Sequence, residues 1–132
     1  MYSFGQALQA SKKYFNGDEL AANVFVNKYA LIDSDGNYLE KDPDDMHKRL
    51  AAEFSRIEKK YSNPMSEKEI YSLLKGFKYI VPQGSPMSGI GNNRIQSLSN
   101  CFVIESPNDS YGGILKTDQE QVQIMKRRGG VG

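Results

Sequence analysis

From Asp42 to Tyr61 the chain reads as one long amphipathic helix. Asp42 can cap it, Pro43 suits the first helical position, and Asp45 falls in the first turn. Met46, Leu50, Phe54, Ile57 and Tyr61 then recur at spacings of four, four, three and four, which places them on one continuous stripe. His47, the only histidine, falls on the polar side of that stripe. A stripe of this length has to be covered by other elements.

The flanking sequence supplies further helices. SFGQALQASKKYF puts Phe4, Leu8 and Phe15 near one face, with Gly17 as a natural stop. DELAANVF reads as a short helix capped by Asp18. KYALIDSDGNYLE reads as two short strands around an Asp-Gly turn. A fourth helix starts at Ser66, where Glu69 completes a capping box, and ends at Gly76, with Ile70, Leu73 and Leu74 as its buried face.

After Gly76 the character changes. FKYIVPQGSPMSGIGNNRIQSLSN is rich in Gly, Ser, Asn and Pro and lacks a helical period, so a long loop is expected. CFVIE is short and almost wholly apolar, which suits a strand covered on both faces, as in a parallel sheet. SPNDSYGG reads as loop. Thr117 is then expected to cap a last helix, with Glu120 at the capping-box position and Val122 and Met125 pointing inward. A further strand is expected at GGVG. The fold class read from this order is α/β, or α+β within this segment. A helical region at 1–80 precedes the opening strand-helix unit of an α/β barrel or sheet at 81–132.

The 132 residues, 39% hydrophobic and 25% charged, fit one soluble domain with a modest core. A net charge of +1 gives no general reason to expect nucleic acid or an anionic membrane as partner. A single cysteine cannot form an internal disulfide, which points to a reducing compartment. MYSFGQALQASKK lacks the apolar core of a signal peptide and no window reaches transmembrane length, so a cytoplasmic location is expected. The last helix pattern runs almost to RRGGVG, so the end reads as an interruption of a longer domain.

Several motifs invite chemistry. In DSDGNYLEKDPD, Asp33, Asp35 and Asn37 match calcium-loop positions. Tyr38 stands where glycine is needed, however, and Asp44 where the bidentate glutamate belongs, so a polar turn is the better reading. GIGNNR carries two glycines of a dinucleotide fingerprint, but Arg94 replaces the third and the motif precedes the strand instead of following one. Lys126, Arg127 and Arg128 either complement a negative helix end or bind phosphate, with Gly129 and Gly130 letting backbone approach. Cys101 is either a small buried hydrophobe or a reactive thiol. With one histidine on a polar face, no metal site is expected.

Four stretches, FNGDELAANVFVNKYAL, SPMSGIGN, SLSNCFVIESPNDSYGGI and MKRRGGVG, together resemble the large, catalytic subunit of ribonucleotide reductase, and they stand in that family's order. The resemblance implies a helical N-terminal domain followed by the first strand of a ten-stranded α/β barrel. It implies that Cys101 is a redox cysteine at the substrate's 2′ face, helping to supply two electrons and ending in a disulfide. Ser99 and Asn100 would line the substrate site, and Ser85 would contact substrate phosphates. Asp109 and Ser110 would hold an allosteric effector, a deoxynucleotide or ATP. Arg128 and Arg127 would meet effector phosphate between the two nucleotide sites.

The resemblance also implies what must come from elsewhere. The family's radical-bearing cysteine, the partner of the redox cysteine and the nearby acid and amide lie downstream, and this sequence has no second cysteine. No room precedes residue 1 for an ATP-sensing domain, so activity control through one is not expected. The expected partners are the C-terminal remainder of the α chain, a radical-generating small subunit, and nucleotide substrate and effector, with a dimer of completed α chains. This segment is expected to bind no cofactor itself. The radical source would be a dimetal small subunit or adenosylcobalamin. Alone, the segment is expected to be inactive. Two other readings stay open: a stand-alone deoxynucleotide-binding module, and a helical interaction domain without catalysis.

Overall fold

The computed structural model describes residues 1–132 and contains six α-helices and one pair of short strands. Helix α1 spans Phe4–Tyr14 and α2 Glu19–Lys28. Ser3 and Gln6 form a reciprocal capping box on α1, and Asp18 caps α2 by accepting from Ala21 N. Between the two, Asn16 and Gly17 take positive φ and reverse the chain. The face of α1 that is buried carries Ala7 and Ser11, whereas Phe4 is 44% exposed, contrary to expectation. Small residues win there because α1 packs closely on α2.

The segment after α2 does not form two strands. It pairs only through single antiparallel bridges, Tyr2 with Tyr38 and Ile32 with Tyr38. The DSDGN turn is instead fixed by Asp33, whose carboxylate accepts from the backbone nitrogens of Asp35 and Asn37 and from the Asn37 amide.

Helix α3, Pro43–Glu58, starts as its sequence predicts, with Asp42 capping Asp45 N and Pro43 in the first turn. Its buried face is rotated from the predicted stripe. Met46 and Leu50 are buried, but so are His47 and Ala51, while Phe54 and Tyr61 are exposed. His47, expected on the polar side, is completely enclosed. Its ring meets the edge of Phe77 with centroids 4.5 Å apart, and neither ring nitrogen has a hydrogen-bond partner. Phe77 comes from a 3₁₀ turn at Lys75–Phe77 that follows α4, Glu67–Leu74. That extra aromatic draws the core around to the His47 side of α3. Ser66 and Glu69 form the expected capping box, and Ile70 and Leu74 are buried.

The stretch read as a long loop contains a short helix, α5, Gly84–Gly89. The glycines of GIGNNR serve packing. Gly91 has φ +76°, and a Cβ there would lie 2.9 Å from Arg49 Cγ, while one on Gly89 would lie 2.9 Å from Leu98 Cδ2.

Strand β1 is only Cys101–Phe102, and it pairs in parallel with β2, Gly130–Val131, in the register Cys101 to Gly130. Between them runs α6, Tyr111–Met125. The parallel strand-helix-strand order is therefore as predicted, but two strands of two residues do not amount to a barrel. Val103, expected to be covered on both faces, is 93% exposed. Helix α6 also begins earlier than predicted. Its cap is Ser110, which accepts from Gly113 N at 3.0 Å, and Thr117 lies inside the helix. Val122 and Met125 are exposed and Ile124 turns inward toward Phe102 and Gly129. A Cβ on Gly129 would lie within 3 Å of both side chains, so this glycine lets the turn close. No helix is long and apolar enough to cross a membrane.

Candidate functional site

Helix α5 is short and built from turn-forming residues, so its position depends on other elements. Arg49 on α3 holds its far end. The guanidinium donates to the carbonyl oxygens of Met87, at 2.7 Å, and Ile90, and pairs with Glu40 through both carboxylate oxygens. Glu40 Oε2 also accepts from Leu31 N at 3.0 Å, so a nearly buried ion pair ties α3, α5 and the turn after α2 together.

Asn100 holds the near end. Its Oδ1 accepts from Ser85 N at 2.7 Å, and its Nδ2 donates to Gln83 Oε1 at 3.0 Å. The Asn100 carbonyl accepts from Gly130 N at 2.6 Å. One asparagine thus joins α5 to both strands, immediately before Cys101. Inside α5, the Ser88 hydroxyl donates to the Gly84 and Ser85 carbonyls, and Gln96 donates to Ser85 O at 3.3 Å.

These restraints shape an open cleft of about 340 Å³ lined by Lys28, Tyr29, Gly84, Ser85, Ser88, Asn100 and Arg128. Three of the residues predicted from sequence, Ser85, Asn100 and Arg128, meet there. Lys28 and Tyr29, at the end of α2, were not predicted. A lysine in the last turn of a helix reads as a solvated partner of the helix end, so no sequence signal marks it. Tyr29 reaches the cleft because Gly84 has no side chain, and a Cβ there would lie 3.1 Å from Tyr29 Cε1. No carboxylate lines the cleft, and neither Lys28 nor Arg128 forms an ion pair. Such a lining favours an anionic ligand with polar edges. A second groove of about 400 Å³, lined by Phe54, Met65, Ile70, Leu73 and Ile80 among others, is larger but almost entirely apolar. It has no set of polar groups to orient a nucleotide.

The remaining predicted residues lie elsewhere. Cys101 is an exposed free thiol heading β1, adjacent in sequence to Asn100. Ser99 is exposed and its backbone N–H donates to Ser97 Oγ at 3.0 Å. Asp109 and Ser110 sit at the start of α6, where Ser110 is the helix cap. The Arg127 guanidinium donates to Ile95 O at 3.3 Å, which directs it to the loop before β1, whereas Arg128 takes φ +68° and lines the cleft. No three His, Cys, Asp or Glu side chains come together as metal ligands.

Comparison with known protein families decides the assignment. Residues 15–92, more than half of the sequence, match the family model described as ribonucleotide reductase, all-alpha domain. This chain belongs to the ribonucleotide reductase family. The matched stretch is the all-alpha N-terminal domain of the reductase large subunit, and it runs from the end of α1 through α5. It includes five cleft residues, Lys28, Tyr29, Gly84, Ser85 and Ser88, while the cleft residues Asn100 and Arg128, and the thiol Cys101, follow it. A search of curated proteins returned no match, and neither did a search of solved structures.

Proposed function

We propose that this reductase chain serves as the N-terminal part of an α chain that converts ribonucleotides to deoxyribonucleotides, and that it turns over only when a complementary C-terminal segment completes it. In this reading Cys101 is one of two thiols that reduce the sugar. The ribose 2′-hydroxyl leaves as water. Two electrons and two protons come from two thiols, one at Cys101 Sγ and one from the complementary segment, and a disulfide forms between the sulfurs. The radical that opens the reaction comes from another component, a dimetal small subunit or adenosylcobalamin, and no step on this chain passes through it.

Ser85, Ser99 and Asn100 face substrate. Asp109, Ser110, Arg127 and Arg128 serve the effector deoxynucleotide or ATP: a carboxylate suits ribose hydroxyls and a guanidinium suits phosphate. The completed α chains form a dimer in the cytoplasm. The observation that carries the proposal is the Ser85–Asn100 hydrogen bond, which joins two expected substrate residues in one cleft, Asn100 directly preceding the lone cysteine in sequence. The exposure of Cys101 on a two-stranded sheet, and of Val103 just beyond its end, is consistent with a sheet that further strands extend.

The test joins the chain to a complementary segment and compares Cys101→Ser with the parent. The serine variant is expected to assemble but lose dithiol-driven reduction, and Asp109→Ala to weaken the effector response while keeping thiol chemistry. Normal dithiol turnover by the serine variant would overturn the role given to Cys101.

A further inference from the structure

The cleft has two walls of different origin. Ser85, Ser88 and Asn100 come from α5 and the approach to β1, whereas Lys28 and Tyr29 come from the end of α2, in the helical layer. Reading the first wall as substrate-binding leaves the second wall without a role. Lys28 is solvent-exposed, has no carboxylate partner and makes no side-chain hydrogen bond, so structural duties do not occupy its ammonium group. Arg128 lines the same cleft and its guanidinium is equally uncommitted. Its backbone is held in the left-handed region at φ +68°, a conformation that costs energy for a residue with a side chain. The neighbouring cavity shares Lys28, Tyr29, Ser88 and Arg128 and adds Arg94, so the positive lining continues past the cleft and again includes no carboxylate.

We propose that Lys28 is a binding residue that holds the phosphate end of a nucleotide in this cleft. The helical domain thus supplies a substrate contact and does more than scaffold the strands. Naming a nucleotide as the ligand rests on the reductase reading, whereas the demand for an oxyanion rests on the cleft's own charge. The free Lys28 ammonium and the Ser85 hydroxyl, with no opposing carboxylate, match a phosphate or pyrophosphate group. The Tyr29 ring is seated against Gly84, which brings the end of α2, and with it Lys28, beside α5.

Inorganic pyrophosphate titrated into the 132-residue chain, followed by amide NMR shifts, tests this directly. Shifts are expected at Tyr29, Gly84 and Ser85. Lys28→Ala should weaken binding about five- to tenfold, the loss of one charge-assisted contact. Lys28→Arg should stay within about twofold, since it restores the charge. Because Lys28 is exposed and unpaired, the alanine variant should keep the parent's thermal midpoint, which separates lost binding from lost folding. Undiminished binding by Lys28→Ala, or no pyrophosphate binding by the parent, overturns the proposal. Neither result touches the role of Cys101, which the dithiol assay reads separately.

Discussion

Ser85 N donates to Asn100 Oδ1 across 2.7 Å, so the residue before the lone cysteine fixes the first turn of α5. Ser85 is itself buried, and its N–H has no other acceptor within this first turn. Asn100→Ala should strand that donor and cost about 1–2 kcal/mol, the penalty of a buried unsatisfied amide. Urea unfolding measures the loss, and amide exchange at Ser85 should rise with it. A stability change near zero would mean that α5 does not depend on Asn100.

The Arg49–Glu40 pair holds the other end of α5, with side chains only 11% and 5% exposed. Removing one partner leaves a charge in a nearly dry site, so Arg49→Met should destabilise by about 3–5 kcal/mol. Adding Glu40→Gln should recover a substantial part, because the orphaned charge is then gone. Chemical denaturation of both single variants and the double variant completes the cycle.

Gly91 and Gly36 separate backbone strain from steric collision. Both have positive φ, at +76° and +84°, yet a Cβ has open space at Gly36 and would lie 2.9 Å from Arg49 Cγ at Gly91. Gly36→Ala should cost about 1 kcal/mol from backbone conformation alone. Gly91→Ala should cost more, about 2–3 kcal/mol, because Arg49 must also shift. Equal losses in thermal melts would show that Arg49 moves freely.

Burial holds the His47 pKa below its ordinary value, with nearby Asp44 opposing in part. The folded chain therefore binds a proton less readily than the unfolded chain. Above about pH 6.5, the usual value for unfolded histidine, stability should be flat in this residue. It should fall as the pH drops below that and level off once the lowered folded value is passed, with a slope of at most about 1.4 kcal/mol per pH unit. Urea midpoints at pH 7.5 and 5.5 read the effect. His47→Leu should abolish the part due to this ring.

Much of the fold was legible because its signals are local. Asp42 with Pro43, and Ser66 with Glu69, announce helix starts within a few residues. Helix α5 was not legible: Gly84, Ser85, Pro86 and Ser88 have turn chemistry, and the helix stands because Arg49 and Asn100 grip its two ends from distant sequence. His47 was misplaced for the same reason, since Phe77 arrives from a turn that the α3 pattern does not contain. Ser110 was missed as a cap because the glycines after it read as loop, although Gly113 is needed where a Cβ would strike Asn108. In the cleft, Ser85, Asn100 and Arg128 came from the family resemblance, whereas Lys28 and Tyr29 emerge only when α2 is seen against α5.

The central claim is that the Cys101 sulfur reduces a nucleotide sugar together with a thiol from a complementary segment. Mass-spectrometric disulfide mapping of the joined chain after a single turnover, with no external dithiol added, reads this most directly. The account predicts one deoxynucleotide per site and Cys101 linked to a cysteine of the complementary segment. Deoxynucleotide formed while Cys101 remains a free thiol would contradict it.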